Sequence, residues 1–280
     1  MAKYQKPLNI NSFGAFVDSV QSSGFREIDL RPFDFVDAYA TMGLALLVRH
    51  ACLVGNTPDL TVPESDNVRM YLARQEFFEV ISKWYEIPQE LRDLQDCQWS
   101  GNPRVAPLTT IEDDTDVSPV ADRIERLLTS PAFDLPKPFA KGVWNILTEV
   151  FQNVPQHASI GLDRVEPGIA VLQVYAGCVE MAVGDIGVGL RSTLSQNPLC
   201  VGKCDGKLQE LVLKQGVSRT ALSGRGHGLY QVAATITKLN GLLRLQSGQA
   251  ATTIGSRVYR QNTCLEFPGT QLWIRLPCKT

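Results

Sequence analysis

Apolar side chains recur at helical spacing in residues 143–150. Val143, Ile146, Leu147 and Val150 fall on one face of a helix that ends near Ser159. The first third of the chain reads differently. Residues 25–36 mix alternation with β-prone side chains and predict a strand. Asp37 stands at the helix N-cap, and a helix follows from 38 to about 53. Gly55-Asn56-Thr57-Pro58 is a turn, 59–62 a short strand, and 67–78 a second helix. Strand–helix–strand–helix order predicts an α/β layer. Later, 168–175 and 178–184 are β-like, with Ala176-Gly177 as a hairpin turn. Residues 208–215 predict a helix closed by Gly216, 230–239 another helix, and 269–277 an alternating final strand.

Between these halves lies a punctuated stretch. Asn102-Pro103, Pro107, an acidic run at 112–116, Pro119, Pro131 and Pro136 mark turns and connections. The chain therefore divides into an α/β unit over 1–92, a connecting region over 93–137 with a short helix near 120–128, and a second unit over 138–280. No internal repeat or low-complexity run interrupts this order.

Composition narrows the class. The 280 residues are 44% hydrophobic and 20% charged, which suits a globular chain rather than a disordered one. A formal net charge of −2 gives no indication of a nucleic-acid partner. No stretch reaches the roughly 20 apolar residues that cross a bilayer, and the run at 40–48 ends at Arg49. The N-terminus lacks the apolar centre of a signal peptide. Seven scattered cysteines, an odd number, fit reduced thiols. A soluble, cytoplasmic protein is the expectation.

Four short motifs carry candidate chemistry. Glu149, Asn153 and His157 are each four apart, so a carboxylate, an amide and an imidazole share one side of the predicted helix. Pro155 lies among them and should bend or end that helix. The strand over 178–184 runs into Asp185-Ile186-Gly187-Val188-Gly189. There a carboxylate can accept from an exocyclic amine, and glycines let backbone approach a ligand. Gly224-Arg225-Gly226-His227-Gly228-Leu229 opens a helix, where free amides and the helix dipole favour an anion. Gly269-Thr270 begins the last strand. Each motif alone is weak. The glycine run lacks the dinucleotide spacing and the Gly-Lys-Ser/Thr of a P-loop.

Their order over about 130 residues resembles the N, G1 and G2 boxes and terminal strand of the gyrase–chaperone–histidine kinase–MutL (GHKL) superfamily. The resemblance implies a Bergerat-type two-layer α/β sandwich, a mixed sheet packed on helices, that binds ATP with Mg²⁺. By the same resemblance Asp185 reads the adenine amine, Gly187 and Gly189 pass close to the nucleotide, and Asn153 holds Mg²⁺. Glu149 is the general base, His157 lies near the phosphates, and Gly224, Gly226 and Gly228 form the phosphate cradle with His227 and Leu229. Thr270 supports the aspartate. The lysine common before His157 is Gln156 here, so Arg219 or Arg225 would supply positive charge.

The N-terminal stretch is similar to STAS domains of anti-sigma factor antagonists, through its strand, the Asp37 turn, the apolar helix and 71–78. Their phosphorylatable serine is absent from Asp37-Ala38-Tyr39-Ala40-Thr41. The resemblances imply three functions: an ATP-hydrolysing or ATP-gated regulatory switch, a serine/threonine kinase of anti-sigma-factor type acting on a partner protein, or a non-catalytic ATP sensor. Each involves a protein partner, and homodimers are common in the superfamily. His50 lacks the surrounding pattern of a phosphorylated histidine.

Overall fold

The computed structural model describes residues 6–95, 105–131, 136–158, 166–217 and 228–278. The chain is a mixed α/β protein that divides into two units. The first comprises Met1–Thr109 with Val171–Gln173, the second Thr110–Ala170 with Val174–Thr280.

The first unit contains β1 (Lys6–Leu8), α1 (Phe13–Ser22), β2 (Glu27–Ile28), β3 (Phe33–Val36), α2 (Ala38–Leu53), β4 (Asp59–Leu60), α3 (Asp66–Arg74), α4 (Phe77–Ser82) and α5 (Gln89–Gln95). The Asp37 carboxylate caps α2, accepting from the Ala40 amide at 2.7 Å. That helix is apolar nearly all round and buried along most of its length, as a central core helix must be.

Three expectations change in this unit. The strand over 25–36 is two strands, because Asp29 accepts from the Arg31 amide at 3.1 Å and its guanidinium at 2.7 Å, folding a turn ahead of Pro32. The helix over 67–78 breaks at Glu76, whose φ of 56° is left-handed. The described strands pair in parallel as β1 with β3 and β2 with β4, in two separate two-stranded sheets. That arrangement does not support the STAS resemblance. Thr41 is fully buried and its hydroxyl donates to the Asp37 carbonyl at 2.7 Å, so it is no accessible phosphoryl acceptor.

The stretch read as a connection holds β5 (Val105–Ile111) and α6 (Asp114–Leu128). The acidic run is the start of the helix. Asp113 accepts from the Thr115 amide at 2.7 Å and from the Asp116 amide, and Asp116 in return accepts from the Asp113 amide at 3.4 Å. This is a capping box, with its carboxylates also at the favourable end of the helix dipole.

The chain continues with α7 (Lys137–Ala158), β6 (Gly168–Tyr175), β7 (Cys178–Gly184), α8 (Gly189–Thr193), α9 (Asp205–Gln215), α10 (Gly228–Lys238), β8 (Leu242–Gly255) and β9 (Val258–Pro277). The five-stranded sheet has the order β5–β6–β7–β9–β8. Both β7 and β8 pair antiparallel with β9. Their register stacks Met181, Ile274 and Leu243 in one cross-strand row, and Val183, Leu272 and Leu245 in the next. All six are buried apolar residues on one face. The buried faces of α7, α9 and α10 form the helical layer of this unit. Gly216 closes α9 with φ 64°. Among the described residues no helix is long and apolar enough to cross a membrane.

Candidate functional site

One row beyond Val183, Leu272 and Leu245, the same face turns polar. Continuing the β7–β9 register from Gly184 opposite Gln271 places Asp185 opposite Thr270, and Thr270 is itself opposite Ser247. The three polar residues thus extend a buried apolar face at the strand ends, a consequence of period-two alternation.

The Asp185 amide donates to the Thr270 carbonyl at 3.0 Å. The Asp185 carboxylate accepts from the Gly187 amide at 2.8 Å. Only 7% of Asp185 is exposed. Burial pushes its carboxyl up to about 6, against the downward pull of the Gly187 and Thr270 amides. Support from Thr270 therefore comes through its main chain, while its hydroxyl lies 3.4 Å from Ser247 Oγ. Gly189 has φ 70°, and a Cβ there would come 3.0 Å from Ser247 Oγ and 3.1 Å from the Gly269 carbonyl. This is one of the few positions in the site where glycine is required both by conformation and by space.

Three residues that motif reading passed over hold this corner. The buried Ser247 hydroxyl accepts from the Leu190 amide at 3.0 Å and donates to the Gly269 carbonyl at 2.9 Å. It thereby joins the Asp185 loop to the last strand. Gln271, 1% exposed, donates to the Asp185 carbonyl at 3.2 Å and the Pro268 carbonyl at 2.7 Å. Gln209 on α9 donates to the carbonyls of Ser247 at 3.1 Å and Ala250 at 2.8 Å. The available signal is a polar residue continuing an apolar alternation, as in Leu243, Leu245, Ser247.

Across the unit, α7 carries Glu149 and Asn153 one turn apart. Asn153 Nδ2 donates to the Glu149 carbonyl at 2.6 Å. Its amide nitrogen is thus engaged within the helix, and Oδ1 is the atom left to ligate a cation. A Cβ on Gly228 would come 2.9 Å from Glu149 Oε2 and 3.7 Å from Asn153 Nδ2. The structure therefore brings the start of α10 against the carboxylate and amide of α7. The helix runs three residues past Pro155 to Ala158, so the proline removes one backbone donor within the last turn without itself ending the helix. The side chain of His157 lies outside the described residues, as do Arg219, Gly224, Arg225, Gly226 and His227. Leu229 is half-buried in the first turn of α10.

Among the described residues no group of three His, Cys, Asp or Glu side chains gathers to hold a metal by itself. A lone amide oxygen suits Mg²⁺, which keeps waters and takes phosphate oxygens as further ligands. The donor set around Asn153 is compatible with that mode.

No protein-family model matches the chain, and no curated protein matches it. Among solved structures, it is similar to the histidine kinase domain from the Erythrobacter litoralis EL346 blue-light activated histidine kinase. That likeness has 15% identity, covers 75% of this chain and 94% of the other, and has a TM-score of 0.31.

Proposed function

We propose that this chain binds ATP with Mg²⁺ and acts as an ATP-hydrolysing or ATP-gated regulatory switch. The observation that carries the reading is the buried Asp185 carboxylate, held at a strand end by two main-chain amides and flanked by close-approach glycine. A carboxylate so placed accepts from the exocyclic amine of adenine. Few other side chains would be retained there at such a desolvation cost.

The remaining roles follow from α7. Asn153 would hold Mg²⁺ through Oδ1, and the ion when bound neutralises phosphate charge. Glu149 takes the proton of the attacking nucleophile, water in the first instance. Its position beside Gly228 places the carboxylate at the first turn of α10, where main-chain amides face an anion. The switch would act on a protein partner.

The test uses γ-labelled ATP and Mg²⁺ with the full chain, Glu149→Ala and Asp185→Asn. Asp185→Asn is expected to abolish nucleotide binding. Glu149→Ala is expected to keep binding and lose phosphate release. Undiminished ATP binding by Asp185→Asn would refute the assignment.

A further inference from the structure

Past the end of β7, β8 and β9 continue as a two-stranded ribbon. β7 pairs with β9 only over 271–277, while β8 and β9 stay paired out to Gly255 opposite Val258. That last pair brackets the two-residue turn Ser256-Arg257, so its members bond to each other. Antiparallel alternation then sets every main-chain direction in the regular part of the ribbon. Arg260 and Asn262 bond inward, to Thr253 and Ala251. Tyr259, Gln261 and Thr263 aim their amides and carbonyls away from β8. The same rule turns Ala250 outward on β8, and its carbonyl there accepts from Gln209 of α9 at 2.8 Å.

The two edges of the ribbon differ. Beside β8, Gln209 takes the Ala250 carbonyl, Asp205 takes the Gln249 amide, and Thr252 is fully buried. Beside β9, no described element pairs with residues 259–263. Tyr259, Gln261 and Thr263 are all exposed. The stretch holds no proline and its register is unbroken, so the edge is continuous. One outward donor and one outward acceptor on each alternate residue match the main chain of an extended polypeptide, not a nucleotide or a lipid headgroup.

Charge selects the strand. From 241 to 265 the chain carries Arg244, Arg257 and Arg260 and no carboxylate. Lys214 of α9 adds to them, with Nζ 3.6 Å over the Tyr259 ring. Its carboxylate neighbour Glu210, 3.6 Å away, is shared with Lys207 at 2.9 Å, so positive charge stays in excess. The excess is local, in a chain of formal net charge −2. Tyr259 and Gln261 share the ribbon face toward α9, where Gln261 donates to the Gly206 carbonyl at 2.7 Å, and Arg260 lies on the other face. Alternate side chains of an added strand would therefore meet Lys214 on one face and Arg260 on the other. Both faces favour carboxylates. A second copy of this edge carries the same sign of charge and is disfavoured.

We propose that the outer edge of β9 over 259–263 takes up an extended, acidic segment of a protein partner as an added strand. The proposal stands apart from the ATP reading.

The experiment follows fluorescence anisotropy of labelled decapeptides with the full chain at low salt. One peptide alternates glutamate with threonine, the other lysine with threonine. The glutamate peptide is expected to bind at least about tenfold more tightly. Thr263→Pro removes an outward amide and leaves the ladder with β8 intact, and should weaken binding at least about tenfold. Arg260→Glu should narrow the preference between the peptides. Should Thr263→Pro fail to fold, infrared spectra of the glutamate peptide with ¹³C-labelled carbonyls replace it, and binding should move their band to the β-sheet position. Equal affinity for the two peptides, a labelled band that does not move, or no binding of either at about 1 mM overturns the proposal. So does a parent chain that sediments as a dimer and is dissociated by Thr263→Pro, since its own copy then fills the edge.

Discussion

Asp185→Asn should make the ligand-free protein more stable at neutral pH even as it removes the proposed adenine contact. The folded carboxyl titrates at about 6 against 3.8 for the ordinary group. The folded state therefore holds an extra proton between those values. Stability from this group is full below 3.8 and is lost as pH rises through about 6. At about 1.4 kcal/mol per pH unit, the loss by pH 7 amounts to about 3 kcal/mol. Asparagine keeps the shape and cannot ionise. It retains a single acceptor oxygen for the Gly187 and Thr270 amides, and an orphaned amide costs about 1 kcal/mol. The variant should then exceed the parent by about 2 kcal/mol at pH 7 and show no advantage at pH 4. Urea unfolding of both proteins at half-unit intervals from pH 4 to 7.5 gives the difference curve. Taking the difference cancels Asp29, Asp113 and Glu210, whose lowered carboxyls act in the opposite direction. A flat difference curve would refute the claim that the folded state raises this carboxyl.

The other expectations probe separate parts of the same unit. Nucleotide affinity should weaken about tenfold per pH unit below about 6, as the Asp185 carboxyl protonates, and titration calorimetry across pH 5 to 7 reads it directly. Gly228→Ala places a Cβ 2.9 Å from Glu149 Oε2 and must displace that carboxylate. Phosphate release should fall at least about tenfold while the melting temperature changes little, since Gly228 is the first residue of α10 and the atom displaced is the end of a flexible side chain. Unchanged turnover would separate Glu149 from the chemistry. Ser247→Ala removes the partner of the Leu190 amide and the donor to the Gly269 carbonyl. It should cost about 2–4 kcal/mol in thermal or urea unfolding, and a loss below 0.5 kcal/mol would mean the hydroxyl is replaceable there.

What the sequence discloses follows the range of the interactions. The apolar face of α7 at Val143, Ile146, Leu147 and Val150, the Asp37 cap, the Gly177 hairpin and the Gly216 stop are local, and each is where the pattern predicts it. The break at Glu76 carries no such signal, because glutamate does not favour a left-handed backbone. It accompanies a long-range bond in which the Leu108 amide donates to the Gln75 carbonyl at 2.9 Å, and the full burial of Phe77 and Phe78 just beyond. Pro119 and the carboxylates before it read as loop because each is a loop residue alone. Asp113 and Asp116 make them a helix start only through reciprocal geometry.

The candidate site shows the same division. Asp185, Gly187 and Gly189 stand out by spacing, but what holds them comes from strands about 60 to 85 residues away. The register shifts of β8 around Gly248 explain how. Gly248 has φ 60°, a bulge geometry that leaves neighbouring main-chain groups unpaired. Side chains of α9 meet them: Asp205 accepts from the Gln249 amide at 2.9 Å, and Gln209 donates to the carbonyls of Ser247 and Ala250. With the bulge pinned, Ser247 remains opposite Thr270, and Thr270 remains beside Asp185. A slip of one residue in β8 would turn Ser247 to the opposite face and leave the Leu190 amide buried without an acceptor. The geometry of Asp185 is therefore set as much by two polar side chains of a helix as by its own loop. Gln209 and Asp205 gain their meaning from a register that no short motif encodes.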